Sequence, residues 1–224
     1  MIGPARSATP TTQRFYDRLS RVYNLLADRG EHASREAGLA LLAAHPGEAV
    51  LEIGCGTGHA LVVLARAVGP AGHVVGIDLS AGMLTVARRR VAEAGVADRV
   101  ALDLGDARAL PYADAAFAAA FLSFTLEIFA PPGLGRVLAE IRRVLRPGGR
   151  LGVVSLDSAG SPGTVVELYR WLHRHFPHFV DCQPIDVRGQ LAAAGFAVQA
   201  TRELSIWGLP VLAAVASQTA HGEL

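Results

Sequence analysis

The sequence predicts an α/β fold: a doubly wound sheet of seven mainly parallel strands, the last antiparallel, behind an N-terminal helical cap. Three observations predict it. The apolar run Ala49–Ile53 ends in Gly54, Gly56 and Gly58, and helical spacing starts at once, which reads as strand, tight turn and helix. From residue 73 to 156, short apolar runs alternate with helix-length amphipathic segments, the pattern of strands joined by crossover helices. Two further apolar runs, Phe196 to Glu203 and Ile206 to Ser217, are separated only by Leu204-Ser205 and should pair antiparallel as the final strands.

A chain of 224 residues is long enough for one α/β domain with a substantial core. Apolar content of 51% against 18% charged residues makes it globular, and a net charge of +1 gives no general argument for nucleic-acid binding. All basic residues are arginine, so a lysine Schiff base or lysine general base is excluded. Of the two cysteines, Cys55 lies inside the glycine loop. A disulfide from there to Cys182 would strain the loop, so a reducing, cytoplasmic setting is expected. No long apolar leader opens the chain, and no apolar stretch reaches membrane-span length. Peripheral membrane contact stays open.

The elements follow in order. Residues 1–11 read as a mobile tail. From Thr12 to Asp28, Phe15, Leu19, Val22 and Leu26 form an apolar helical stripe, with Tyr16 and Tyr23 on a neighbouring face; the helix either covers a ligand or is simply docked. A second helix runs from Glu31 to Ala44 and ends before the Pro46-Gly47 turn. Residues 1–44 are therefore tail and cap helices, and 45–224 the main domain. After strand one come a helix from Thr57 to Val68, strand two from His73 or Val74 to Asp78, and a helix over 81–94 with Ser80 as N-cap. Arg88-Arg89-Arg90 is a solvated face. Strand three is Val100–Leu104, strand four Ala116–Phe124, a helix follows over 134–145, and strand five is 150–156. Residues 157–185 are an insertion suited to a lid, and a helix over 186–194 stops at Gly195.

The motifs carry a family resemblance. Glu52-x-Gly54-x-Gly56-x-Gly58, followed by Gly76-Ile77-Asp78-Leu79-Ser80, resembles motif I and the acidic loop of class I S-adenosylmethionine (SAM) methyltransferases. A dinucleotide fingerprint would want glycine at position 59, where His59 stands. Asp106 in Gly105-Asp106-Ala107 resembles the residue that holds the adenine amino group, and residues 140–151 resemble the helix and turn before the fifth strand. The resemblance spans residues 45 to 156. It implies a Rossmann-like domain binding SAM and releasing S-adenosylhomocysteine, with no metal. The glycine loop with Glu52 and Cys55 would approach the methionine part. Asp78, 24 residues past Gly54, would accept the ribose hydroxyls, and Leu79, Met83, Asp106 and Ala107 would surround the adenine. Met83 suits a core position equally well. Phe15-Tyr16-Asp17-x-Leu19-Ser20-x-x-Tyr23 resembles the N-terminal segment of the ubiquinone/menaquinone biosynthesis group, which would bring Tyr16 and Tyr23 to the cofactor.

The acceptor side is less defined. Strand ends line the crevice of a doubly wound sheet, so Ser123, Thr125 and Glu127 face it. Glu127 and Asp157 are candidate bases there, and Tyr169 and His173, four apart on one helical face, are candidate lid groups. His173, His175 and His178 make a poor metal set, since Pro177 interrupts them. Where the quinone enzymes carry a Gly-Ile-Arg-Asn-like segment, this chain has Ser123-Phe124-Thr125-Leu126-Glu127. The expected substrate is a small, largely apolar acceptor, quinone-like or other, taken by a monomer or homodimer without nucleic acid. Phospholipid N-methylation, a non-catalytic SAM-binding protein and an NAD-dependent oxidoreductase remain alternatives.

Overall fold

A computed structural model describes residues 31–158, 184–206 and 208–219. Residues 31–42 are helical (α1). They are followed by β1 (Ala49–Ile53), α2 (His59–Val68), β2 (His73–Asp78), α3 (Ala81–Glu93), β3 (Val100–Leu104), β4 (Phe117–Ser123), α4 (Pro131–Val144), β5 (Leu145–Leu156), α5 (Val187–Ala193), β6 (Phe196–Ile206) and β7 (Leu209–Gln218). The sheet order is β3-β2-β1-β4-β5-β7-β6. The pairs among β1 to β5 are parallel, while β7 is antiparallel to both β5 and β6. Chain order reverses between β1 and β4, and a ligand crevice opens at such a switch point, outside the carboxyl ends of the strands.

Alternation along each strand separates two cores. Val50, Val74, Ala119, Phe121 and Val154 face one side, where α1, α2 and α3 cover them through Leu42, Leu61, Leu64, Leu84 and Val91. Leu51, Ile53, Ile77, Leu122 and Val153 face the other, beneath Leu138 and Ile141 of α4 and Leu191 of α5. Both faces of the central strands are dry, which is why they read as continuous apolar runs. Each fully buried leucine contributes about 1.5–3 kcal/mol.

Helix α1 lies close on the sheet. A Cβ on Gly38 would overlap Val154, and one on Gly152 would come 3.2 Å from Leu42. Gly38 thus sits over residue 154 and Leu42 over residue 152, so α1 runs opposite to β5, and its first described turn reaches the C-terminal ends of the strands. At the other end, Glu48 fastens the sheet. It accepts hydrogen bonds from Arg150 at 2.6 Å and from the His45 N–H at 2.8 Å, with Arg146 3.6 Å away. Burial works to raise the Glu48 carboxyl, but these partners hold it below the ordinary carboxylate range.

Strands β1 and β3 and the Ser80 N-cap match the sequence expectation, Ser80 accepting from Met83 N at 3.3 Å. Several boundaries differ. The last hairpin turns between Ile206 and Leu209 rather than at Leu204-Ser205, because Gly208 (φ 81°) supplies the left-handed residue while the two flanking apolar residues are buried. Helix α2 starts at His59, with Gly58 as its left-handed N-cap, rather than at Thr57. Helix α4 starts three residues early, since Pro131 and Pro132 lack N–H groups that a first turn would leave unbonded anyway. Strand β5 begins at Leu145, paired with Phe117, and then shifts register across the segment expected to be a free turn. The helix expected over 12–28 and most of the 157–185 insertion lie outside the described residues.

Candidate functional site

The glycine loop joins β1 to α2 at the switch point. Gly54, Gly56 and Gly58 all have positive φ, at 67°, 50° and 81°. A Cβ on Gly54 would stand 2.6 Å from Thr125, and one on Gly58 3.0 Å from the Ala87 Cβ, so both are also held by close packing. At Gly56 a Cβ would meet nothing within 4 Å, so the middle of the loop faces open space. The Gly54 and Cys55 N–H groups donate to the Ile77 carbonyl at 2.8 and 3.2 Å, tying the loop to the end of β2.

Asp78 completes that tie. Its Oδ2 accepts the Gly56 N–H and its Oδ1 the Ser80 N–H, both at 2.8 Å. One carboxylate therefore fixes the glycine loop and the start of α3 together. Beside it, Leu79 is 64% exposed and Met83 45%; Leu104, paired in register with Asp78, is 62% exposed. Leu79 and Leu104 at adjoining strand ends, with Met83 in the first turn of α3, leave three large apolar side chains in the open, a surface suited to a flat apolar group. Met83 is thus not a core methionine.

Asp106 follows β3 and is gripped by Arg108, whose Nη2 donates to Oδ2 at 2.6 Å and whose Nε lies 3.0 Å from both oxygens. This grip holds its carboxyl below the ordinary range. Nothing in the glycine pattern signalled Arg108. Ala107 is buried in the core on the α4 side. Cys55 points its side chain into the core against Gly76 and is a buried free thiol, which burial and the nearby Glu52 and Asp78 push up. Only its backbone lies along the loop.

Past β4 the chain turns sharply. Phe124 is a non-glycine residue at φ 52°, a costly conformation that surrounding structure must impose. Its N–H donates to Val154, and Thr125 Oγ1 donates to Ser123 at 3.1 Å and lies 3.4 Å from the Ile53 carbonyl. Glu127 does not stand free in the crevice. Ser155 Oγ donates to its Oε2 at 2.9 Å and the Leu156 N–H to its Oε1 at 3.2 Å, so the buried carboxyl clips the segment after β4 onto β5. Burial raises it to about 7 against these hydrogen bonds. Asp157 is buried as well, with Arg188 3.8 Å from Oδ2. Glu52 is buried on the α1 side of β1; burial lifts it to about 8, opposed by the charge of Arg35.

The structure thus brings Glu52, Gly54, Gly56, Gly58, Asp78, Leu79, Met83, Asp106 and Ser123 to the carboxyl edge of the sheet. Tyr16, Tyr23, Tyr169 and His173 lie outside the described residues. Among the described residues no group of three or more His, Cys, Asp or Glu is arranged to hold a metal ion, and no helix is long and apolar enough to cross a membrane. The residues present fit an adenosyl group joined to an amino acid: an open glycine turn, an apolar wall beside two carboxylates, and a buried Glu52 Oε2 without a hydrogen-bond partner among the described residues.

Comparison with known proteins agrees with this geometry. Residues 50–149 match the family described as Methyltransferase domain. The chain is 43% identical to a demethylmenaquinone methyltransferase of Symbiobacterium thermophilum over 47% of its own length and 41% of the relative's. It is 31% identical to another of that name from Lactobacillus johnsonii, over 73% of this chain and 65% of the relative. The chain spans less than two thirds of either relative. Its fold superposes on geranyl diphosphate C-methyltransferase from Streptomyces coelicolor A3(2) with a TM-score of 0.70 and 18% identity, covering 86% of this chain and 82% of that one. The domain match over residues 50–149, the seven-stranded sheet and these relatives make the chain similar to class I SAM-dependent methyltransferases.

Proposed function

We propose that the protein methylates a small, largely apolar, quinone-like acceptor at the expense of SAM. The observation that carries the reading is the Asp78 carboxylate, which holds an open glycine turn against β2 beside an exposed apolar wall. The relatives named demethylmenaquinone methyltransferases support the acceptor class. When bound, SAM supplies an intrinsically activated sulfonium methyl, so the protein's task is alignment, which can supply up to roughly 7–11 kcal/mol.

The chain's own residues do that work. Gly54, Gly56 and Gly58 let the backbone approach the methionyl part. Asp78, whose oxygens keep lone pairs beyond those used by Gly56 and Ser80, accepts the ribose hydroxyls. Leu79 and Met83 cover the adenine, and Asp106 with Ala107 takes its amino group, Arg108 yielding or sharing the carboxylate. Glu127, clipped to β5, shapes the acceptor end from beneath, and Tyr16, Tyr23, Tyr169 and His173 are assigned to its cover. The domain layout assigned to this function is a cap over residues 1–44 and the transferase domain over 45–224. The test is incubation with methyl-labelled SAM and reduced demethylmenaquinone. Label entering the quinone supports the reading. Label entering only a phosphatidylethanolamine control would move the acceptor to a phospholipid amine.

A further inference from the structure

The adenosyl features lie at the ends of β1, β2 and β3, and the strand order places β4 and then β5 on the other side of the glycine loop. The ends of β4 and β5 are therefore the part of the crevice left to the acceptor. Two buried acids of the described residues stand there, Glu127 and Asp157. They differ in what they still offer. Both oxygens of Glu127 are taken, by the Ser155 hydroxyl and the Leu156 N–H. Asp157 is 5% exposed, and its Oδ1 has no hydrogen-bond partner among the described residues. Arg188 Nη1 stands 3.8 Å from Oδ2, too far for a hydrogen bond, and the guanidinium turns its Nη2 instead to Glu203 at 3.1 Å and Thr201 at 3.3 Å. The backbone of Asp157 is pinned: its N–H donates to the Pro210 carbonyl at 2.9 Å, and it bridges Ile185. Strand alternation puts its side chain on the face of Val153 and Ser155, towards α5 and away from the α1 side that holds Glu52 and Ser123. Ser158, Pro184 and Ile185 around it are half-buried, so the carboxyl lies near the surface at the strand ends.

We propose that Asp157 is the proton acceptor of the methyl transfer, and that the group it serves is the hydroxyl of a phenol or hydroquinone. A buried carboxylate oxygen without a donor costs stability, and a catalytic role is one explanation for keeping it. A ring hydroxyl supplies the missing donor and can yield its proton. An oxidised quinone brings only carbonyl oxygens, which would set lone pairs against lone pairs. The hydroxyl passes its proton to Asp157 Oδ1, and the electron pair left on oxygen raises electron density at the neighbouring ring carbon. That carbon bonds to the methyl as the methyl–sulfur bond breaks, its electron pair staying on sulfur as a neutral thioether. The ring carbon then gives its own hydrogen as a proton to the ring oxygen, restoring the aromatic ring and the hydroxyl. One proton is released in all, and Asp157 hands it to water. This role rests on the proposed SAM-dependent methylation and names the residue that takes its proton.

The test uses the full chain, methyl-labelled SAM and a short-chain reduced demethylmenaquinone, with S-adenosylhomocysteine affinity measured by calorimetry on each variant. Asp157→Asn keeps the shape and an oxygen that accepts a hydrogen bond, but not the ability to take a proton. It should lower kcat about 10²–10⁴-fold while KM for the hydroquinone stays within about threefold. Its Kd for S-adenosylhomocysteine should stay within about twofold of wild type, which also shows the variant folded. Asp157→Glu restores a carboxylate and should recover at least about tenfold of the lost rate. An unchanged kcat in the Asn variant overturns the proposal, as does a Glu variant no faster than the Asn one. Loss of S-adenosylhomocysteine binding in step with kcat would make Asp157 a structural residue and overturn it too. A wild-type chain that binds S-adenosylhomocysteine but leaves the hydroquinone unlabelled refutes the acceptor reading itself. That result is distinct from a labelling wild type with an equally fast Asn variant, which removes only the role of Asp157.

Discussion

Replacing Asp78 by alanine tests how the crevice is built. The side chain accepts two backbone N–H groups at 2.8 Å, from Gly56 in a partly buried position and from Ser80 in an exposed one. A hydrogen bond to a charged group is worth ~1.5–3 kcal/mol when shielded from water, so the Gly56 bond should contribute about 1.5 kcal/mol and the Ser80 bond less. Their joint loss, about 2 kcal/mol, should lower the melting temperature by roughly 4–8 °C for a chain of this size. Binding suffers separately. Loss of the ribose hydroxyl bonds and release of the loop should weaken S-adenosylhomocysteine by about 1.5–4 kcal/mol, one to three orders of magnitude in Kd. Asp78→Asn should also lose binding, because an amide can present only one oxygen to two N–H donors. Thermal melts and calorimetry on both variants read the two effects. A folded Asp78→Ala protein that binds S-adenosylhomocysteine within twofold of wild type would refute this role.

Three other perturbations separate function from stability. Gly54→Ala combines a left-handed φ with a 2.6 Å approach to Thr125, so it should cost ~2–3 kcal/mol and abolish nucleoside binding, read by urea melts and calorimetry. Glu52, raised by burial, binds a proton in the folded chain at pH values where the unfolded chain has lost it. Stability from this group is therefore present below pH 4.5 and lost as pH rises towards about 8. Glu52→Gln should flatten that fall, gaining on wild type in urea melts at pH 8 relative to pH 5; parallel losses would contradict it. Glu48→Ala breaks the Arg150 pair at the opposite end of the strands and should cost about 3 kcal/mol in denaturant while leaving the Kd for S-adenosylhomocysteine unchanged.

The strands were legible because β1, β2 and β4 are covered on both faces, so their interior residues are apolar apart from the buried Glu52. The glycine loop was legible because three positive φ angles in five residues leave little but glycine. Ends were harder. Leu204 and Ser205 looked like a turn, yet they continue an edge strand that is exposed along most of its length, so no apolar pattern marks its course. Among the site residues, Asp78 and the loop are contiguous in sequence with the elements they serve. Helix α1 is not: only the docking of Gly38 on Val154 carries it to the strand ends. Glu127 read as an open acid because its position after β4 was right, but no local pattern reveals that Ser155 and Leu156, on another strand, occupy both its oxygens. Arg108, two residues from Asp106, was visible as a charge but not as a partner.

Calorimetric titration of the full chain with S-adenosylhomocysteine beside NAD shows whether the crevice at the end of β1 and β2 is built for an adenosyl donor. The expected result is saturable one-site binding of S-adenosylhomocysteine, abolished by Gly54→Ala, and no heat with NAD. Binding of NAD alone, or of neither ligand by a folded chain, would contradict it.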